Sequence, residues 1–517
     1  MPGSFAKVLS FGVYGIDAYL VTIEIDVSIS QGEDKPIFQI VGLPEGAVKE
    51  SRERVRAAIG NAGYWFPGGR VTANLAPADI RKEGAAFDLA LAMGVLAASG
   101  SVAGDRLAEY AMVGEMGLNG EIRPIRGALP LALGARTAGL KGLLVPADNA
   151  TEAAVVEGIA IHPVSTLPEA VQFLAGEIEI PPHVAPPFCE TGYGSHDGFY
   201  PDMADVRGQG SAKRAMEVAA AGGHNLIMVG PPGSGKTMLA RRLPGILPPM
   251  TFAESLEATK IYSIAGLTGR KGLVSARPFR SPHHTISHIA LVGGGAIPRP
   301  GEVSLACHGV LFLDEMPEFP RMALETLRQP LEDGHVTVAR AAMTCAFPAH
   351  FMLCGSMNPC PCGYMTDPTR ECRCSPIDIQ RYHARLSGPL LDRIDIHIEV
   401  PAVKYQELTR GQPGESSAAV RERVLAARRR QLDRFAGRPG VYCNAHMSGK
   451  DIERHCKLND ATMDLLERAM RQRGLSARAF HRILKVGRTI ADLAGCDAIG
   501  PTEISEAIQY RSLDRGL

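Results

Sequence analysis

The stretch GPPGSGKT, Gly230 to Thr237, fits G-x-x-x-x-G-K-[ST] and lies between an apolar run, NLIMVG, and a helix-forming run, TMLARRL. A phosphate cradle needs that context. Gly230, Gly233 and Gly235 let backbone N–H groups close around an anion at a helix N-terminus, with Pro231, Pro232 and Ser234 completing the loop. Lys236 neutralises β/γ-phosphate charge and Thr237 ligates magnesium. The run GVLFLDE ends in Asp314, placed to hold magnesium, and Glu315, placed to orient and deprotonate an attacking water. A core strand capped by solvated acids would explain that run alone. Beside the phosphate loop it reads as the second half of an ATP site. A third apolar run, HFMLCGSMN, ends in Asn358.

Directly after Asn358 comes CPCGYMTDPTRECRC, with the pairs Cys360/Cys362 and Cys372/Cys374 and nine residues between them. Four thiolates can close a tetrahedral zinc site, although one-residue spacers are tighter than the usual two to four. Unmetallated thiols and redox switching are the other readings; the second needs exposed thiols of low pKa. Buried structural cysteines sit in apolar runs, as Cys354 does in FMLCGS, whereas these four frame a polar loop. His283, His284 and His288 lie close together in SPHHTISH but lack a fourth ligand nearby, which favours a loop over a metal centre.

These groups need a scaffold, and the chain is long enough to supply one. At 517 residues it predicts two to four domains. A hydrophobic content of 45% against 21% charge is that of a globular protein needing no disulfides. Fifty-five basic and fifty-five acidic residues balance, so nucleic-acid binding would have to come from local patches. The N-terminus, MPGSFAKVLSFGVYGIDAYL, lacks the apolar core of a signal peptide, and no run is long enough for a membrane span. Eleven scattered cysteines fit a reducing compartment, so the expected location is cytoplasmic, with no membrane partner.

Residues 20–29 and 36–42 read as strands and 44–60 as a helix. The α/β alternation continues to about residue 175. A Pro-rich stretch over 179–201 reads as a linker, and a composition shift near 401–418 opens an arginine-rich helical region. The segment HVTVARAAMTCAF, 335–347, reads as a β-hairpin with Arg340 near its tip. RERVLAARRRQLDR, 421–434, makes seven basic residues counting Arg410 upstream, and a solvated helix face is the ordinary cause of such a run.

Three long stretches, DVRGQGSAKRAMEVAAAGGHNLIMVGPPGSGKTMLA (205–240), RPFRSPHHTISHIALVGGGAIPRPGEVSLACHGVLFLDE (277–315) and LSARAFHRILKVGRTIADLAG, resemble the magnesium-chelatase-like AAA+ proteins. Over the whole chain the resemblance is to the ComM/YifB group. It implies an α/β chain in four parts. Residues 1–178 would be a Lon-protease-like domain, and 179–201 a linker. Residues 202–400 would be the ATPase core with a helix-2 insert, presensor hairpin and cysteine cluster, and 401–517 a helical lid. The resemblance also implies ATP and Mg2+ as cofactors, a homo-hexamer, and single-stranded and branched DNA as partners. The activity implied is branch migration by a DNA helicase that helps integrate incoming DNA in natural transformation.

By the same likeness Asp205 to Gln209 border the adenine and Asn358 is the γ-phosphate sensor. Arg393 in LLDRID is the arginine finger, and Arg478 in LSARAF is the lid sensor. The 77 positions from Thr237 to Asp314 hold the helix-2 insert, a loop facing the ring pore. Its His283, His284 and Arg299, with Arg340 of the hairpin, are the expected DNA contacts. In the N-terminal domain the serine and lysine positions of a Lon dyad fall on Ala86 and near Leu129, so neither the hydroxyl nor the amine is present. The domain is therefore expected to be a DNA-binding or ring-assembling platform. Two other readings remain: a metal-chelatase motor subunit, opposed by the Lon-like domain and so with no porphyrin expected, and a nucleotide-gated regulatory scaffold.

Overall fold

The computed structural model describes residues 4–28, 37–102, 106–188, 200–269, 272–295, 298–340, 343–367, 370–402, 414–438, 440–511 and 513. The chain forms two compact units. The first comprises Met1–Cys189, Ser255–Val274 and Ala339–Ala346, and the second Glu190–Glu254, Ser275–Val338 and Phe347–Leu517. The main division thus falls within the Pro-rich stretch, and two later segments join the first unit.

In the first unit β1 (Ser4–Tyr14), β2 (Asp17–Ser28), β3 (Ile37–Val41), β4 (Arg70–Ala76), β5 (Tyr110–Met112), β8 (Gly142–Pro146) and β9 (Ala160–Val164) make one sheet. Their order is β3-β4-β2-β1-β5-β8-β9, and β6 (Glu115–Met116) and β7 (Ile122–Arg123) pair separately. Period-two alternation sends Val8, Val21, Ile23, Ile25, Val71, Ala73 and Leu75 to one face, all fully buried in the core that holds the helices Gly46–Asn61 and Asp88–Ala98. Phe11 packs on the opposite side with the helix Ala128–Thr137 and with Leu256 and Leu273 of the inserted segment. That segment is tied in by polar bonds as well. Glu152 accepts from Ser263 and Thr268 and from the Leu129 N–H, and the Gly127 N–H donates to the Ser263 carbonyl. Leu129, near the expected position of a Lon lysine, is completely buried, and Ala86, at the expected serine position, is half-buried.

The second unit is built on five parallel strands. These are β10 (Leu226–Val229), β11 (Phe279–Arg280), β14 (Val310–Leu313), β17 (Met352–Met357) and β18 (Ile396–Glu399), ordered β11-β14-β17-β10-β18. The three central strands are apolar and buried on both faces, as parallel strands between helical layers must be. Short β12 (Gly293–Gly294) and β13 (Arg299–Pro300) form one ribbon, and β15 (His335–Arg340) and β16 (Met343–Pro348) form the expected hairpin. The helices Gly210–Gly222, Ser417–Arg434, Ala477–Leu493 and Pro501–Gln509 share a single core with the sheet, so the helical C-terminal region is not a separate unit.

The arginine-rich helix Ser417–Arg434 departs from the solvated face its sequence predicts. Arg428 is buried and donates to the Ala220 and Ala221 carbonyls, at the C-terminal end of Gly210–Gly222, where a cation meets the negative end of the helix. Arg423 pairs with Glu217 and Glu415, Arg434 with Asp492, and Arg430 with Asp497. Most of the run is internal bracing. The helix after the phosphate loop is also shorter than expected: it covers Lys236–Ala240, and Leu243–Ile246, with Pro244 in its first turn, resumes after a break.

Candidate ATP-hydrolysis site

Strand register brings the motif residues together. Val229 pairs with Met357, and Leu313 with Gly355, so the carboxyl ends of β10, β14 and β17 deliver the phosphate loop, Asp314–Glu315 and Asn358 to one edge of the sheet. Ligand sites of open parallel sheets form at that edge. Gly233 and Gly235 are left-handed (φ 77° and 89°), and a Cβ on Gly230 would lie 2.1 Å from the Val400 carbonyl oxygen. The glycines are therefore dictated by backbone conformation and close approach.

Lys236 is buried. Its amine donates to the carbonyls of Gly230 (2.6 Å) and Pro231 (2.9 Å) and to Asn358 Oδ1 (3.2 Å), so the cation and the expected sensor share a hydrogen bond. Burial lowers the basicity of the amine, and the Asp314 and Glu315 carboxylates act against that. The Thr237 hydroxyl donates to Asp314 Oδ2 at 2.7 Å. Two ligand oxygens on neighbouring vertices of a magnesium octahedron stand ~2.9 Å apart, so this pair fits one coordination shell. Mg2+ held by Thr237 and Asp314 would neutralise phosphate charge.

Asp314 is half-buried and Glu315 is exposed at the end of β14, with φ 52°. The left-handed turn swings the second acid out of line with the first, so that Asp314 meets Thr237 while Glu315 stands in solvent. Ser356 steadies both: its hydroxyl donates to Asp314 Oδ1 and accepts from the Glu315 N–H at 3.1 Å. Gln209, also left-handed, donates to the Ser234 carbonyl of the phosphate loop, whereas Asp205 is engaged with Arg242 at 3.1 Å.

Arg393 and Arg478 lie elsewhere in the same unit. They line one cavity of about 180 Å3 with Glu332, Asp392, Arg482 and Lys485, and no residue of the phosphate loop lines it. Arg393 is nearly buried, donating to the Pro389 carbonyl at 2.7 Å and pairing with Glu332, while Arg478 stands 3.8 Å from Asp392. The finger and lid-sensor candidates therefore form one cationic cluster.

The four clustered cysteines converge. Cys360 Sγ is 3.4 Å from Cys362 Sγ and 3.7 Å from Cys372 Sγ, Cys362 and Cys372 are 3.6 Å apart, and the Cys362 N–H donates to Cys374 Sγ at 3.3 Å. The His283 and His284 rings lie 4.1 Å apart between centroids, tilted by 34°, but with His288 they belong to no group able to hold a metal among the described residues. Arg299 is exposed in β13. Arg340 ends β15, and its side chain lies outside the described residues.

Comparison with known proteins decides the family. Residues 202–408 match magnesium chelatase, subunit ChlI; residues 24–149 match subunit ChlI of Mg-chelatase; and 414–511 match the ChlI C-terminal family. Competence protein ComM of Haemophilus influenzae is 46% identical over 99% of this chain and 98% of its own length. The chain belongs to the ComM/YifB family of magnesium-chelatase-like AAA+ proteins. YifB of Salmonella typhimurium is 42% identical over 99% of this chain and 98% of its own. Lon protease 2 of Bacillus subtilis matches 29% of this chain at 29% identity. Membership of this ATPase family implies ATP hydrolysis with Mg2+, which the Lys236, Thr237 and Asp314 geometry fits. No helix among the described residues is long and apolar enough to cross a membrane.

Two groups at the site had escaped the motif reading. Ser356 carried a faint mark, a hydroxyl inside the apolar run of β17. Asn225 had none. Its side chain donates to the Arg393 carbonyl (3.1 Å) and accepts from the Leu353 N–H (2.8 Å), linking the arginine-finger candidate to β17, the strand that leads into Asn358. Asp395 completes that joint. Its carboxylate accepts from the Asn225 N–H and from Arg482; burial pushes its pKa up, but the Arg482 guanidinium and the other donors around it outweigh that and hold it far below the usual carboxylate range.

Proposed function

We propose that this chain is the subunit of an ATP-driven hexameric DNA motor, a branch-migration helicase that moves junctions while incoming single strands are integrated during natural transformation. The observation that carries the ring is the division of the ATP machinery within one chain. Arg393 and Arg478 line a cavity apart from the phosphate loop, and the Glu315 base is exposed. A site that lacks its finger and leaves its base in water is completed by a neighbour supplying the Arg393 finger in trans. Full-length similarity to a competence protein supports the DNA substrate. ATP and Mg2+ serve as cofactors, with Zn2+ at the four cysteines, and the cytoplasm is the location.

In this reading residues 1–178 form a Lon-like platform without peptidase chemistry, 179–201 the linker, 202–400 the motor core and 401–517 the lid. Asp205 and Gln209 border the adenine. Asn358 senses the γ-phosphate, and His283, His284, Arg299 and Arg340 meet DNA. The match to a chelatase subunit favours one rival, a motor that remodels a metal-inserting partner. DNA separates the two. ATP hydrolysis should rise several-fold on adding forked DNA, and Arg340→Ala should lose most of that rise while flattening the log–log salt slope of DNA binding by about 1. A rate indifferent to DNA would favour the chelatase-type motor.

A further inference from the structure

We propose that Cys360, Cys362, Cys372 and Cys374 hold one zinc ion, and that this ion braces the phosphate loop and Asn358 in the arrangement ATP hydrolysis needs. The second half of the proposal rests on the ATP-site reading above. The sulfur geometry carries the first half. In a tetrahedral tetrathiolate with Zn–S bonds near 2.3 Å, neighbouring sulfurs stand ~3.8 Å apart. The observed separations of 3.4, 3.6 and 3.7 Å approach that edge length, whereas a disulfide would need ~2.05 Å. All four sulfurs lie within 4.8 Å of one another. An all-sulfur donor set selects a soft, closed-shell ion over magnesium or calcium.

The backbone is arranged for thiolates. The Cys362 N–H donates to Cys374 Sγ at 3.3 Å, and Met365 turns its N–H toward Cys360 Sγ and Tyr364 and Arg373 theirs toward Cys362 Sγ. Such donors offset the charge that four thiolates retain around a dication. Among its described residues the intervening loop offers Tyr364 and Met365 as its only large apolar side chains, beside Asp367, Arg370 and Glu371. It cannot hold its shape by burial, so the ion would supply that energy.

Both ends of the loop touch the ATP site. Gly363 is left-handed (φ 85°), and a Cβ there would lie 2.6 Å from Pro232 Cδ in the phosphate loop and 3.8 Å from Asn358 Cγ. Beyond Cys374 the helix Pro376–His383 returns to the sensor. Its Tyr382 hydroxyl faces the Asn358 N–H, and His383 Nε2 bonds the Pro359 carbonyl at 2.9 Å. The metal loop thus closes a clamp with Pro232 on one side and Asn358–Pro359 on the other.

The test uses the full chain. Elemental analysis should find one zinc per chain, and cobalt exchange should give thiolate-to-cobalt charge-transfer bands with tetrahedral ligand-field bands. The double variant Cys372→Ser/Cys374→Ser should lose the metal and hydrolyse ATP about tenfold more slowly, while its affinity for a fluorescent ATP analogue changes much less. Gly363→Ala should keep its zinc and lose rate, because the added methyl meets Pro232. If the serine variant does not fold, zinc stripping of the wild type with a thiophilic chelator takes its place. Hydrogen exchange at the amides of Gly230 and of residues 233–237 should then rise and be restored by zinc. Wild-type protein without stoichiometric zinc or cobalt–thiolate bands would overturn the site. Metal-free protein with the wild-type rate and unchanged exchange would overturn the brace. Failure of the ATP-site reading looks different: Lys236→Ala would then hydrolyse ATP normally, whatever its zinc content.

Discussion

Glu315→Gln should bind ATP as tightly as the parent and hydrolyse it ~10²–10⁴-fold more slowly, the range over which a positioned general base acts. The substitution is nearly isosteric, and the backbone that holds the position is independent of the side chain. The residue is turned by its φ of 52°, and its N–H is anchored to Ser356 Oγ. Glutamine can still hydrogen-bond a water but cannot accept its proton. Asp314 keeps its contacts to Thr237 and Ser356, so metal and phosphate binding should survive. Single-turnover hydrolysis with saturating nucleotide isolates this step. A rate within threefold of the parent would mean that another group activates the water.

The second large effect concerns Arg393. Alone, Arg393→Ala should reduce hydrolysis ~10³-fold or more, as loss of an arginine finger does. Lys236→Ala should be comparably inert for a different reason, since it removes the phosphate-loop cation. The informative sample is the two variants co-expressed. If the finger acts across subunits, random mixing pairs an intact phosphate loop with an intact finger at roughly a quarter of interfaces, and activity returns in about that proportion. If Arg393 serves its own chain, every mixed site stays broken and the mixture stays inert. Its cavity, shared with Arg478 and apart from the phosphate loop, predicts recovery.

The residues proposed to hold the phosphates and magnesium were legible because phosphate chemistry requires them to be contiguous. One loop from Gly230 to Thr237 and the ends of two apolar runs contain them, and buried parallel strands announce themselves as uninterrupted apolar segments. Contacts made across long sequence separations were not legible. Arg428 reads as one more surface arginine until the Ala220 and Ala221 carbonyls, some two hundred positions earlier, are found beneath it. The segment Ser255–Val274 carries no mark that its partners are Glu152 and Gly127 of the first unit. The cysteines lie between these cases. Their spacing left three chemistries open, and the sulfur separations match the metal site proposed above. Asn225 shows the remaining limit, because its importance lies in what its amide joins.

The central claim, that ATP turnover on this scaffold moves DNA, is tested most directly on a synthetic branched junction with a labelled arm. The zinc-replete full-length chain with ATP and Mg2+ should convert the junction to its migrated products, and Lys236→Ala should leave it unchanged while keeping its fold and zinc. Junctions that persist while the wild-type chain hydrolyses ATP, or that move equally well with Lys236→Ala, would contradict the account.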